Sequence, residues 1–93
     1  MIDIFQKTPG EINRIIAANI VKLRKRKKIS QKELSKRSGV SYGSIRRFES
    51  EGNISLESLT KIAIVLDVSD ELESLFTAVP FDSIQEVIHG QTR

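Results

Sequence analysis

The chain has 93 residues, no cysteine and a net charge of +3, so a disulfide framework and a thiolate metal site are both excluded. One domain with a modest core fits this length, and an enclosed active site has little room in it. The longest unbroken apolar run, Ile62 to Leu66, is far too short to span a bilayer, and the start MIDIFQK lacks the basic opening and apolar stretch of a signal peptide. The expectation is a soluble, cytoplasmic protein. Its charge is lopsided: residues 1–52 carry 13 Lys/Arg against 5 Asp/Glu, residues 53–93 carry 2 against 7. The first half attracts a polyanion and the second repels one.

Residues 1–8 form an N-terminal arm whose Ile2, Ile4 and Phe5 suit either a docked or a loose segment. Thr8 and Glu11 then make a T-x-x-E capping box with proline at the first helical position, which predicts a helix from Pro9. Ile12, Ile15, Ile16, Ile20 and Leu23 follow helical spacing and predict one buried stripe. The helix closes on five basic residues, Arg24 to Lys28. Cations favour a helix C-terminus, but five in a row exceed what the dipole needs and are also suited to phosphates.

Gln31 to Phe48 predicts two short helices joined by a tight turn. Ser30 and Glu33 form an S-x-x-E box at the first. Leu34 and Val40 point inward, and Ser35 is small where the second helix crosses. Gly39 sits where the first helix must end in a left-handed conformation, and Ser41 caps the next. On that second helix, ending around Ser50, Ile45 and Phe48 face the core while Tyr42, Gly43, Arg46 and Arg47 face out. Glu51 to Asn53 is the loop that follows. A further helix begins at Ser55, with Leu56, Leu59, Ile62, Ala63 and Leu66 on one face. Ser69, Asp70 and Glu71 supply a cap and two acids for a fifth helix with Leu72, Leu75 and Phe76 as its apolar face, ended by Pro80. Residues 81–88 suit a last short helix or an extended segment.

This pattern resembles the phage-repressor/Cro type of helix-turn-helix regulator. Gln31, the small Ser35, Gly39, Ile45, Phe48 and Glu49 carry the likeness, together with S-L-E-S-L-x-K-I-A-x-x-L from Ser55 to Leu66, and it covers roughly residues 16–76. It implies an all-α, five-helix, lambda-repressor-like DNA-binding domain over residues 9–79, with a short C-terminal extension at 80–93 for dimerisation or partner contact. The second helix of the motif is then the recognition helix, lying in the major groove of double-stranded DNA. Tyr42, Gly43 and Arg47 match base-reading positions, Arg46 stands at their edge, and Arg47 suits a bidentate contact to guanine. Gln31 and Ser44 match phosphate-binding positions. Ser41, Lys32, Arg24 and Lys25 join them as expected phosphate contacts. Where the resembled proteins often carry a basic residue and a glycine just after the recognition helix, the loop here is Glu51, Gly52 and uncharged Asn53. Arg24 and Glu49 match two residues that pair with each other beside the DNA.

No Gly-rich phosphate loop, metal-ligand cluster or nucleophile with a base occurs, and His89 is the only histidine. The expectation is therefore a non-enzyme without cofactor or metal. The resemblance implies a transcriptional repressor. The alternative is an antitoxin that neutralises a toxin protein and binds DNA to control its own synthesis. Ile64, Leu75, Phe76, Val79, Phe81, Ile84, Val87 and Ile88 are more apolar surface than a monomer this small hides, and predict a homodimer.

Overall fold

Four serine or threonine hydroxyls decide where the first four helices begin. The computed structural model describes residues 5–78. Within them α1 spans Pro9–Arg26, α2 Gln31–Ser38, α3 Tyr42–Glu51, α4 Leu56–Val65 and α5 Ser69–Glu73. No strand occurs among the described residues. The side chains of Thr8, Ser30, Ser41 and Ser55 accept the backbone N–H of Glu11, Glu33, Ser44 and Ser58, each at 3.0–3.1 Å. Thr8 also donates its own N–H to the Glu11 carboxylate at 3.2 Å, which completes the capping box. At Ser30 the box is only half made. Glu33 turns its carboxylate to Arg37 one turn along, 2.8 Å away, instead of back to the cap.

The chain reverses through left-handed residues. Gly39 (φ 78°) ends α2 and Gly52 (φ 84°) ends α3, each donating its N–H to a carbonyl one turn back. A Cβ built on Gly39 meets nothing, whereas one on Gly52 lies 3.0 Å from the carbonyl carbon of Asn13, so the α1 backbone is seated against this glycine. Two further helices end on non-glycine left-handed residues. After α1, Lys28 (φ 59°) lets the Ile29 N–H reach the Arg24 carbonyl. After α4, Asp67 (φ 61°) lets the Val68 N–H reach Ala63. Both are Schellman endings, which satisfy otherwise unpaired terminal carbonyls. The first also ends α1 at Arg26, short of the five-residue basic run predicted to close it.

Phe48, Leu34, Ile45, Ile62 and Leu66 are fully buried, and Ala17, Ile20, Ile29 and Val40 close the core around them. Burying each large side chain contributes about 1.5–3 kcal/mol, which fixes α2 and α3 to each other and to their neighbours. α1 packs on α3, α2 on both α3 and α4, and α4 on α5.

Several expectations are corrected here. The isoleucine stripe of α1 is buried only in its C-terminal half: Ile12, Ile15 and Ile16 stay exposed, because the core contacts of α1 begin at Ala17. Leu56, at the very start of α4, is 70% exposed rather than part of the buried face. Glu51 is the last residue of α3, not of a loop. Ser69 does not cap α5. The Schellman ending of α4 runs straight into it, so Val68 is the N-cap and makes no side-chain hydrogen bond there. Because α5 ends at Glu73, Leu75 and Phe76 lie beyond it and are exposed.

Candidate nucleic-acid interface

Capping by Ser41 and the inward Ile45 and Phe48 fix the rotation of α3 about its own axis. That rotation leaves Tyr42, Gly43, Arg46 and Arg47 in solvent on one surface. The Ser41 hydroxyl is engaged twice, accepting the Ser44 N–H and donating to the Ser44 hydroxyl at 2.8 Å. The Ser44 hydroxyl therefore keeps its own proton for an external acceptor.

Behind this surface three helices are tied by one carboxylate. Glu49 on α3 accepts from Arg24 Nε at 2.7 Å and Nη2 at 2.9 Å, and from Gln31 Nε2 at 2.8 Å. The remaining guanidinium nitrogen, Nη1, donates to the Ile29 carbonyl at 2.8 Å. Both charged side chains keep only about a tenth of their surface, 10% for Arg24 and 8% for Glu49. A bidentate pair with an added amide leaves no buried side-chain polar atom unsatisfied among the described residues. The chemical effect on the surface is as important as the mechanical one: Glu49, behind this face, is neutralised, while Lys25, Arg46 and Arg47 have no carboxylate partner among the described residues.

Arg24 uses three of its five N–H donors inside the protein, two of them on the Glu49 carboxylate that also holds Gln31. Gln31 is half-buried, while Lys25, Lys32, Ser41 and Ser44 are exposed. A surface hollow of about 720 Å³ between α1 and α3 is lined by Arg24, Lys25, Gln31, Gly43, Arg46 and Arg47, among others. It gathers residues from both expected contact sets into one basic concavity. Tyr42 stands apart from it, with Lys32 Nζ and Arg46 Cζ lying 5.8 Å and 5.6 Å from its ring centre.

Two links here escape sequence reasoning. Gln31 is 18 residues from the carboxylate it meets, and Lys32 is on a different helix from Tyr42. Neither spacing carries a signal. The close seat of Gly52 against α1 had only the glycine itself as a hint.

On the α4–α5 side, Ile64, Leu75 and Phe76 line a second hollow of about 570 Å³ with Leu56 and Leu72. Phe76 is 96% exposed. The other residues expected at a dimer contact, Val79, Phe81, Ile84, Val87 and Ile88, lie outside the described residues. No described helix is long and apolar enough to cross a membrane. Among the described residues no cluster of His, Cys, Asp or Glu has the makings of a metal site.

Two short capped helices across a glycine turn, the second solvent-facing and basic, held by helices before and after them, define a helix-turn-helix DNA-binding domain. Residues 20–72 match the helix-turn-helix family model, which is more than half of the chain. The protein belongs to that family, in its phage-repressor/Cro type, and is a DNA-binding transcription regulator. No curated protein and no solved structure matches the chain.

Proposed function

We propose that the protein binds a specific double-stranded operator and represses by occupying it, with α3 in the major groove. Gly43, Arg46 and Arg47 face the bases, with Arg47 the bidentate reader of guanine and Tyr42 beside them on the same surface. Gln31, Lys32, Ser41, Ser44 and Lys25 position the phosphates, and Arg24 supports them through Glu49. The observation that carries this reading is the outward face of α3: its two arginines have no carboxylate partner among the described residues, while Glu49 behind them is neutralised by Arg24. Residues 9–79 are the DNA-binding domain and 80–93 a segment for self-association or partner contact. Selection of bound duplexes from a random pool tests the reading. The expected product is a two-fold related sequence whose half-sites lie about 34–36 Å apart. A pool that shows no enrichment would overturn it.

The spacing requires two copies, since one recognition helix covers too few base pairs to find a site in a genome. The exposed Ile64, Leu75 and Phe76 support a homodimer through the C-terminal third. The same surface also suits the second reading, an antitoxin whose apolar, acidic side meets a toxin. Co-purification of a second chain would favour the antitoxin, while sedimentation at micromolar concentration tests the dimer. A dimer that becomes monomeric on deletion of residues 80–93 is expected, and a full-length monomer would overturn the dimer.

A further inference from the structure

Tyr42 is the first residue of α3, exposed on the surface assigned to DNA. Among the described residues its phenol makes no hydrogen bond. Its only contacts of note are with the two cations, Lys32 Nζ at 5.8 Å and Arg46 Cζ at 5.6 Å from the ring centre. Neither cation has a carboxylate partner among the described residues. They come from different places: Lys32 is the second residue of α2, and Arg46 lies one turn along α3. The ring therefore bridges the starts of the two helices that define the DNA-facing surface.

Three facts bear on what such a ring does. The face of an aromatic ring is electron-rich and attracts a cation within about 6 Å of its centre. Lysine and arginine carry the largest side-chain rotamer entropy, which is lost when they are fixed on a ligand. Two like charges brought near one point repel unless something of opposite potential lies there, and the ring supplies that potential. Glutamate, the other means of holding them, would cancel the positive field that draws DNA. An aromatic ring gathers cations without neutralising them.

We propose that Tyr42 is a positioning residue, whose ring pre-arranges Lys32 and Arg46 for a phosphate and for the groove, and whose own phenol is not the reader of a base. The proposal rests on α3 being the DNA-facing helix and adds how two of its cations are aimed. It also separates the roles along the helix: Arg47 stands free of the ring, and Arg46 is aimed by it.

The test is a mutant cycle on the duplex obtained by selection, with circular dichroism confirming that each variant is folded. Tyr42→Phe keeps the ring and should bind within about twofold of the parent. Tyr42→Leu removes the cation contacts and should weaken binding by about 3- to 10-fold, the scale of one or two exposed cation–π contacts. The salt dependence of binding should stay unchanged in Tyr42→Leu, because no charge is lost, whereas Lys32→Ala should flatten it by about one ion. In a Lys32→Ala/Arg46→Ala background, Tyr42→Leu should have little further effect. If Tyr42→Phe weakens binding as much as Tyr42→Leu, the phenol contacts DNA directly and the proposal is overturned. Equally, if Tyr42→Leu loses as much affinity in the double-alanine background, the ring itself meets DNA. A parent protein that binds no duplex overturns the reading of α3 and the positioning role with it, an outcome distinct from both.

Discussion

Replacing Glu49 with alanine probes the tie behind the outward face of α3. The change leaves the Arg24 guanidinium without its counter-charge in a place where that side chain is 10% exposed, and takes an acceptor from Gln31. Breaking a buried ion pair by removing one partner costs about 3–5 kcal/mol. The residual exposure lets water relieve part of this, so a loss of about 3 kcal/mol is expected. A domain of this size is stable by only about 5–10 kcal/mol, and each kcal/mol moves the melting temperature by about 4–8 °C. Thermal unfolding followed by far-UV circular dichroism should then show Glu49→Ala melting about 12–24 °C lower. The double variant Arg24→Met/Glu49→Leu removes both charges and fills the space with apolar atoms. Because desolvation of the pair opposes its attraction, that variant should lose no more than about 1.5 kcal/mol. The reasoning is refuted if Glu49→Ala loses less than about 1 kcal/mol, or if the double variant is as unstable as the two single losses combined.

Other outcomes follow from particular positions. Gly43 has open space where a Cβ would stand, so Gly43→Ala should raise folding stability by about 0.5–1 kcal/mol. Its affinity for the selected duplex should nonetheless fall, because in the proposed complex the methyl faces DNA, and unfolding and binding titrations together read the opposite signs. Arg47→Ala should cost about 1–3 kcal/mol at the selected site and relax preference at one base pair, while Lys25→Ala should weaken all sequences alike and flatten the salt dependence. Titrations against selected and scrambled duplexes at several salt concentrations distinguish the two. Asp67→Gly relieves a left-handed residue and removes an acid from a helix C-terminus, and chemical denaturation should show a gain of about 1 kcal/mol.

What could be read ahead of the structure divides by range. The starts of α1 to α4 were legible because each depends on one hydroxyl and an N–H three residues on, and the rotation of α3 because Ile45 and Phe48 are three apart. The start of α5 misled for a local reason: a left-handed aspartate, with no glycine to announce it, turned the chain one residue earlier and left Ser69 inside the helix. At Ser30 the letters of a capping box were present, yet Arg37 offered Glu33 a stronger partner. For α1 the periodicity marked an apolar stripe but not how far the core reaches along it. The ring contacts of Tyr42 and the meeting of Gln31 with Glu49 depend on the packing of separate helices, and no spacing within one helix encodes them. The pairing of Arg24 with Glu49 was suggested only by resemblance, since residues 25 apart have no local reason to meet.

The two glycines that end α2 and α3 differ in what each can tolerate. At Gly39 only the backbone conformation is at issue, and asparagine there should cost about 1 kcal/mol and nothing more. At Gly52 any side chain begins 3.0–3.1 Å from main-chain atoms of Asn13 and Arg14, and main chain inside a helix yields only if the whole helix tilts. α1 is then a lever. Its pivot is at Asn13, and Lys25 lies twelve residues along, about 18 Å away, so a tilt begun at the pivot arrives enlarged among the basic residues. The Arg24–Glu49 bonds, at 2.7 and 2.9 Å, have no slack to absorb it. A buried glycine without a side chain, away from the outward face of α3, thus sets the position of cations it never touches.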